Sequence, residues 1–234
     1  MTSTCRKYGG RGPRTLRDMD LDDAEIARLY AYPESERPWI RTNFVTTIDG
    51  AAHGSDGVSG TLGGDADKRV FDVLRSLADV VLVGAGTARD EGYGPADVPI
   101  ALVSRSLDVP DRLVVPGTVV ITSAHAPAGR IAELRATVDV IAVGEGSIDW
   151  PAVLDELSSR GWNHVLCEGG PSLHGELIGL DLVDEICLTV APVLAAGPAP
   201  RIAHGDAGVD RPMTLGHAVA ARDVLLTRWV RTRA

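Results

Sequence analysis

Two short runs, Val80-Val81-Leu82-Val83 and His164-Val165-Leu166-Cys167, lead directly into glycine pairs and then into segments with helical character. A short β-branched run bounded by a turn signal reads as a strand buried on both faces, the kind found in parallel sheets covered by helices. The turns are Val83-Gly84-Ala85-Gly86-Thr87 and Glu168-Gly169-Gly170-Pro171-Ser172. A helix N-terminus presents unpaired N–H groups and a positive dipole end, and glycine lets a phosphate approach the backbone. Two such ends suit one dinucleotide, although a tight strand-to-helix turn alone also explains a Gly-x-Gly. Thr87 reads as an N-cap with Asp90 and Glu91 in the first turn behind it, and Pro171 stands at a first helical position.

Neither turn completes a standard nucleotide motif. Arg89 occupies the place of the third glycine in Gly-x-Gly-x-x-Gly, and no Gly-x-x-x-x-Gly-Lys-Ser/Thr stretch is present.

The alternation continues along the chain. Trp39 to Ile48 reads as a long first strand that ends at the turn dipeptide Asp49-Gly50. A helix is expected over Asp65 to Ala78, where Val70, Val73, Leu74 and Leu77 repeat at helical spacing. Further strands are expected near 79–84, 99–104, 117–122, 138–143 and 163–168, and helices near 87–92, 129–136, 149–160 and 171–179. The last quarter carries strand patterns at Asp184 to Ala191, Ala218 to Ala221 and Val224 to Arg231 with no helix between them. The expected architecture is α/β, with a mostly parallel central sheet and antiparallel C-terminal strands. One domain is expected over 16–234, with residues 1–15 as a disordered tail.

A net charge of −9 argues against nucleic acid as a partner, because duplex binding needs a concentrated cationic surface. Apolar stretches are too short to span a bilayer, and the basic N-terminus lacks the apolar core of a secretory signal. The three cysteines, Cys5, Cys167 and Cys187, are sparse and odd in number, which points to a disulfide-free cytoplasmic protein. The six histidines show no metal-ligand spacing, and His164 and His174 border the second glycine turn.

Four segments in order carry a resemblance: Asn43-Phe-Val-Thr-Thr-Ile-Asp-Gly, Leu74 through Val83-Gly-Ala-Gly-Thr87, Leu166-Cys-Glu-Gly-Gly-Pro-Ser-Leu and Leu182-Val-Asp-Glu-Ile-Cys-Leu-Thr-Val-Ala-Pro. Together they resemble the reductase domain of riboflavin biosynthesis, a dihydrofolate-reductase-like family, over about Trp39 to the C-terminus. The zinc deaminase to which that domain is often fused has no counterpart here, since the chain contains no Cys-x-x-Cys, and no metal is expected. The resemblance implies a three-layer sandwich, a homodimer, and hydride transfer from NADPH to the ribosyl C1 of an open-chain imine derived from a phosphoribosylamino-uracil.

It also assigns residues. Gly84, Gly86, Thr87, Glu91, Gly169, Gly170, Pro171, Ser172 and Thr61 match cofactor positions, and Ser104 and Arg105 match the place of the adenosine 2′-phosphate. An arginine and a hydroxyl suit that extra dianion, although Arg105 also reads as a solvated loop residue. Asp49, Ser59, Arg75 and Glu168 match the substrate side. Imine reduction needs a proton at nitrogen, and a carboxyl group raised by an apolar setting supplies one, so Asp49 and Glu168 are the candidate acids. Each also has a structural reading: Asp49 fixes the Asp-Gly turn, Glu168 receives N–H bonds beside the glycines, and Arg75 pairs with Asp72 on its own helix. Lys68 and Arg69 read as solvated.

One segment departs from the family pattern. An arginine expected in a Leu-Thr-Val-Arg-like stretch is replaced by Glu91-Gly-Tyr-Gly-Pro-Ala-Asp-Val-Pro, which weakens the case for a phosphorylated substrate. Reduction of dihydrofolate or another pteridine, and a non-catalytic NADPH sensor, therefore stand as alternatives.

Overall fold

Strand alternation decides which side of the sheet each helix covers. The computed structural model describes residues 22–205 and 208–233. Its nine strands are β1 (Trp39–Thr47), β2 (Val80–Gly84), β3 (Ile100–Val103), β4 (Thr118–Thr122), β5 (Asp139–Ala142), β6 (His164–Cys167), β7 (Glu185–Ala191), β8 (Met213–Ala221) and β9 (Val224–Arg231). They form one sheet in the order β5-β4-β3-β2-β6-β1-β7-β9-β8. Pairings from β5 to β7 are parallel, while β7 with β9 and β9 with β8 are antiparallel.

The helices are α1 (Asp23–Leu29), α2 (Gly64–Ser76), α3 (Ala85–Asp90), α4 (Ala128–Arg135), α5 (Trp150–Ser159) and α6 (Pro171–Gly179), with a short 3₁₀ turn at Asp111–Leu113. Val80 and Leu82 of β2 point to one face, where they join Trp150, Val153 and Leu157 of α5 and Leu173 and Leu177 of α6. Val81 points the other way with Leu166 to meet Val70, Val73 and Leu74 of α2. Farther along that second face, Val83, Leu102 and Val120 pack on Ala88 of α3 and Leu134 of α4. This is the expected three-layer α/β arrangement. Leu74 is fully buried, and truncating a side chain of this kind to alanine costs about 2 to 5 kcal/mol.

Three local features differ from expectation. Helix α1 has no counterpart in the sequence reading; Asp22 caps it by accepting the Glu25 N–H at 2.8 Å, and Ile26 anchors it in the core. Strand β8 begins at Met213 rather than at 218, because its first half is an exposed edge without apolar alternation and carries an irregularity between Leu215 and His217. Helix α3 starts at Ala85 with Gly84 as its cap, so Thr87 lies inside the helix. Asp90 and Glu91 therefore sit at its C-terminal end, where the dipole does not favour them. Glu91 instead accepts the Ser59 N–H at 2.9 Å.

The expected tail at residues 1–15 lies outside the described residues. Among those described, no helix is long and apolar enough to cross a membrane. Cys167 and Cys187 are free and buried.

Candidate active site

The two glycine turns, far apart in sequence, touch because β2 and β6 are neighbours. Glu168 N–H donates to Leu82 O at 3.0 Å and Gly84 N–H to Gly169 O at 2.7 Å, which carries the ladder past the strand ends. A Cβ on Gly170 would lie 2.3 Å from Thr87 Oγ1, and one on Gly169, with φ of +95°, would lie 2.9 Å from the Phe44 ring. The absence of both side chains is therefore a condition of this contact.

Above the turns lies a cleft of about 660 Å³, bordered by the C-terminal half of β1, one face of α2 from Gly64 to Arg75 and the segment after α3. That volume lies within the range of small-molecule and cofactor sites. Alternation sends Glu168 to the same side as Leu166, the side covered by α2, and there it meets Arg75. Arg75 donates from Nε and Nη2 to the two oxygens of Glu168 at 2.8 and 2.7 Å. Tyr93 adds a third bond from its hydroxyl to Glu168 Oε2 at 2.6 Å. The Arg75 guanidinium also stacks over the ring of Phe71, 4.5 Å from the centroid.

Burial works to lower the Arg75 pKa, yet the hydrogen bonds and charge of Glu168 leave it raised. Burial raises the Tyr93 phenol, and the neighbouring Glu168 charge raises it further. The guanidinium thus stays cationic and the phenol stays protonated across the physiological range.

Of the residues expected at the site, Ser59, Arg75, Thr87, Glu91, Glu168, Gly170 and Pro171 line the cleft. Gly84 and Gly169 lie in the turn contact beneath it. Gly86, in the first turn of α3, and Ser172 are not among its lining residues, and Ser172 Oγ contacts His204 Nε2 at 3.2 Å. Thr61 donates to Asp56 Oδ2 at 2.8 Å. Ser104 is buried, and Arg105 is exposed and paired with Glu176, whose other oxygen accepts Trp150 Nε1 at 3.0 Å. The pairing of Arg75 with Asp72 is replaced by the Glu168 contact, and Asp72 takes Lys68 at 2.8 Å. Arg69, read as solvated, reaches Asp23 at 2.6 Å, while Lys68 lines the cleft.

Asp49 differs from the acid imagined for it. Its carboxylate accepts Thr47 Oγ1 at 2.5 Å and the N–H groups of Ala196 at 2.7 Å and Ala195 at 3.1 Å. Those bonds lower its pKa to about 2. A group so held is ionised and ties two loops together; it has no apolar setting to raise it.

Two contributors to the cleft, Tyr93 and Asp67, were not anticipated. Tyr93 sits in a glycine-rich loop whose only sequence signal was the arginine it lacks. Asp67 lines the cleft from the first turn of α2 and accepts a bond from the Thr189 hydroxyl. His174 lies buried, its ring stacked on Phe44 at 4.4 Å, and burial lowers its pKa to about 4.

The RibD C-terminal domain model matches residues 38–226. A reductase of Methanothermobacter thermautotrophicus, named 2,5-diamino-6-ribosylamino-4(3H)-pyrimidinone 5′-phosphate reductase, is 29% identical over 188 residues, covering 74% of this chain and 87% of that protein. A riboflavin biosynthesis protein RibD of Mycobacterium tuberculosis is 32% identical over 173 residues, covering 74% of this chain and 47% of the relative. Among solved structures, a pyrimidine reductase-like protein of Corynebacterium diphtheriae superposes with a TM-score of 0.79 at 26% identity, covering 89% of this chain and 99% of that one. The chain belongs to the RibD C-terminal domain family.

Proposed function

We propose that this protein is an NADPH-dependent pyrimidine reductase of riboflavin biosynthesis, acting on a ribosylamino-pyrimidine phosphate. The observation that carries the proposal is the Arg75–Glu168–Tyr93 cluster in a cleft floored by two contacting glycine turns. The residues fit a dinucleotide: Gly170 presents backbone with no Cβ against Thr87, and the N-terminus of α6 opens there with Pro171 at its first position. When bound, NADPH supplies the hydride.

The protein's own residues position and polarise. Gly170, Pro171 and the Thr87 hydroxyl hold the diphosphate, with Gly84, Gly86, Gly169, Ser172, Thr61 and Glu91 shaping the same side. Ser104 and Arg105 meet the 2′-phosphate, with Arg105 exchanging Glu176 for it. On the substrate side, Arg75 and Ser59 bind polar groups of the ribosyl phosphate. Glu168, held by Arg75 and Tyr93, orients the reacting sugar chain. A single reductase domain over 16–234, a homodimeric assembly and a cytoplasmic location complete the proposal; the buried free thiols of Cys167 and Cys187 accord with a reducing compartment.

A pteridine substrate is the second reading, favoured by the absence of any arginine between Glu91 and Pro99, the loop that closes the cleft. The test is loss of reduced-nicotinamide absorbance with purified protein, offering the ribosylamino-pyrimidine phosphate and dihydrofolate in parallel. Turnover of the first is expected. Turnover of dihydrofolate alone would replace the proposal with the second reading, and turnover of neither, with NADPH still bound, would remove both.

A further inference from the structure

The charged groups of the cleft are nearly all matched within the protein. Arg75 pairs with Glu168, Lys68 with Asp72, Glu91 takes the Ser59 N–H, and Asp90 is exposed to water. Asp67 is the exception: it is half-buried, borders the cleft, and among the described residues has no cationic partner. Its one polar contact is the hydroxyl of Thr189, a buried β7 residue opposite Val45 of β1. Burial raises the carboxyl above its ordinary range, outweighing the Thr189 bond.

The backbone makes room for this carboxyl. A Cβ on Gly63, the residue that caps α2, would lie 2.0 Å from Asp67 Oδ2. The acid therefore folds back against the cap of its own helix, and its position is set by Gly63 on one side and Thr189 on another. A carboxyl group kept at the wall of a cleft with so little compensation is matched when N–H groups of a ligand arrive. Phe44 and Phe71 border the same cleft and give a flat heterocycle aromatic surface.

We infer that Asp67 reads the substrate ring itself, accepting two parallel N–H bonds from a 2-amino-4-oxopyrimidine edge. The inference rests on the proposed function and refines it to a substrate class. A carboxylate presents two acceptors side by side, and the ring N–H with the adjacent 2-amino group presents two donors at matching spacing. A uracil edge sets its ring N–H between two carbonyls, so one carbonyl would face a carboxylate oxygen. The protein is accordingly selective for rings that still carry the 2-amino group, and rejects their deaminated counterparts.

Isocytosine and uracil isolate the two edges, and their binding needs no turnover. Titrating each into the full-length protein, without cofactor, by ligand-observed NMR or calorimetry should show isocytosine binding about tenfold or more tightly, as one bidentate edge contact provides. Asp67→Asn offers one acceptor and one donor, which matches the ring N–H and 4-carbonyl that both fragments carry, and should abolish the preference. Thr189→Val, which frees the carboxyl, should weaken isocytosine without abolishing the preference. Equal binding of the two fragments, a uracil preference in the unaltered protein, an unchanged preference in Asp67→Asn, or no binding of either would overturn the inference. A protein that turns over the ribosylamino-pyrimidine phosphate yet fails this comparison keeps its proposed function and loses only the role of Asp67; one that passes without turnover does the opposite.

Discussion

Thr87 and Gly170, 83 positions apart in the chain, meet so closely that a methyl group on Gly170 would come within 2.3 Å of the Thr87 hydroxyl. The contact joins the two glycine turns and fixes the distance between the entries of α3 and α6. Gly170→Ala is therefore expected to destabilise the fold by about 1 to 3 kcal/mol through overpacking, and to weaken NADPH binding. Adding Thr87→Ala removes the obstructing hydroxyl and should restore most of the stability without restoring NADPH affinity. Thermal unfolding together with cofactor titration checks both; full rescue of binding would show that Thr87 does not contact the cofactor.

Arg75 and Glu168 form a coupled pair. The Glu168 side chain is 2% exposed, so Arg75→Met leaves a carboxylate with only Tyr93 to compensate it, at a cost of about 2 to 4 kcal/mol. Glu168→Gln in the Arg75→Met background should recover part of that loss. A double-mutant cycle by denaturant unfolding measures the coupling, expected near 1 to 3 kcal/mol. Additive losses would mean that the pair contributes no mutual stabilisation.

Arg105 is the test of NADPH over NADH. Its side chain is 62% exposed and paired with Glu176, so its replacement should leave stability within about 0.5 kcal/mol. Arg105→Ala is expected to raise the KM for NADPH about tenfold or more while leaving NADH use unchanged, since a charge-assisted contact to the 2′-phosphate is lost. An equal effect on both cofactors would detach Arg105 from the 2′-phosphate.

His174 makes stability depend on pH. Burial lowers its pKa from 6.5 to about 4, so between these values the unfolded chain binds a proton that the folded protein excludes. Its contribution is fully present above 6.5 and falls as pH drops towards 4, by about 3 kcal/mol in all. His174→Phe keeps the stacking on Phe44 and removes the titration. The stability gap between the two proteins, measured by urea unfolding over that pH window, should shift in favour of the variant by a similar amount; a constant gap would refute the assignment.

Local chemistry made much of the fold legible. Apolar runs such as Val80 to Val83 have few places to go except between two helical layers, and glycine after a strand marks a turn whatever surrounds it. The stripe Val70, Val73, Leu74 likewise declares its buried face at helical spacing. The edge strand from Met213 was not legible, since an exposed edge needs no hydrophobic period, and α3 began before Thr87 because contact between the turns, not a side-chain cap, sets its start. Residue types and family motifs led to Arg75 and Glu168, but their union depends on β2 lying beside β6 and on strand alternation aiming Glu168 at α2. Asp49 was legible as a turn residue and misleading as an acid, because its two backbone donors come from a loop 146 and 147 positions away. Tyr93 and Asp67 drew no signal at all: a tyrosine in a glycine loop and an aspartate in a first helical turn are ordinary in sequence. Only packing decides that one reaches Glu168 and that the other, against Gly63 and Thr189, borders the cleft without a counter-ion. Burial patterns and turns are properties of neighbouring residues and are written in the chain; pairings across the sheet, and the charges they concentrate, exist only once the strands have taken their order.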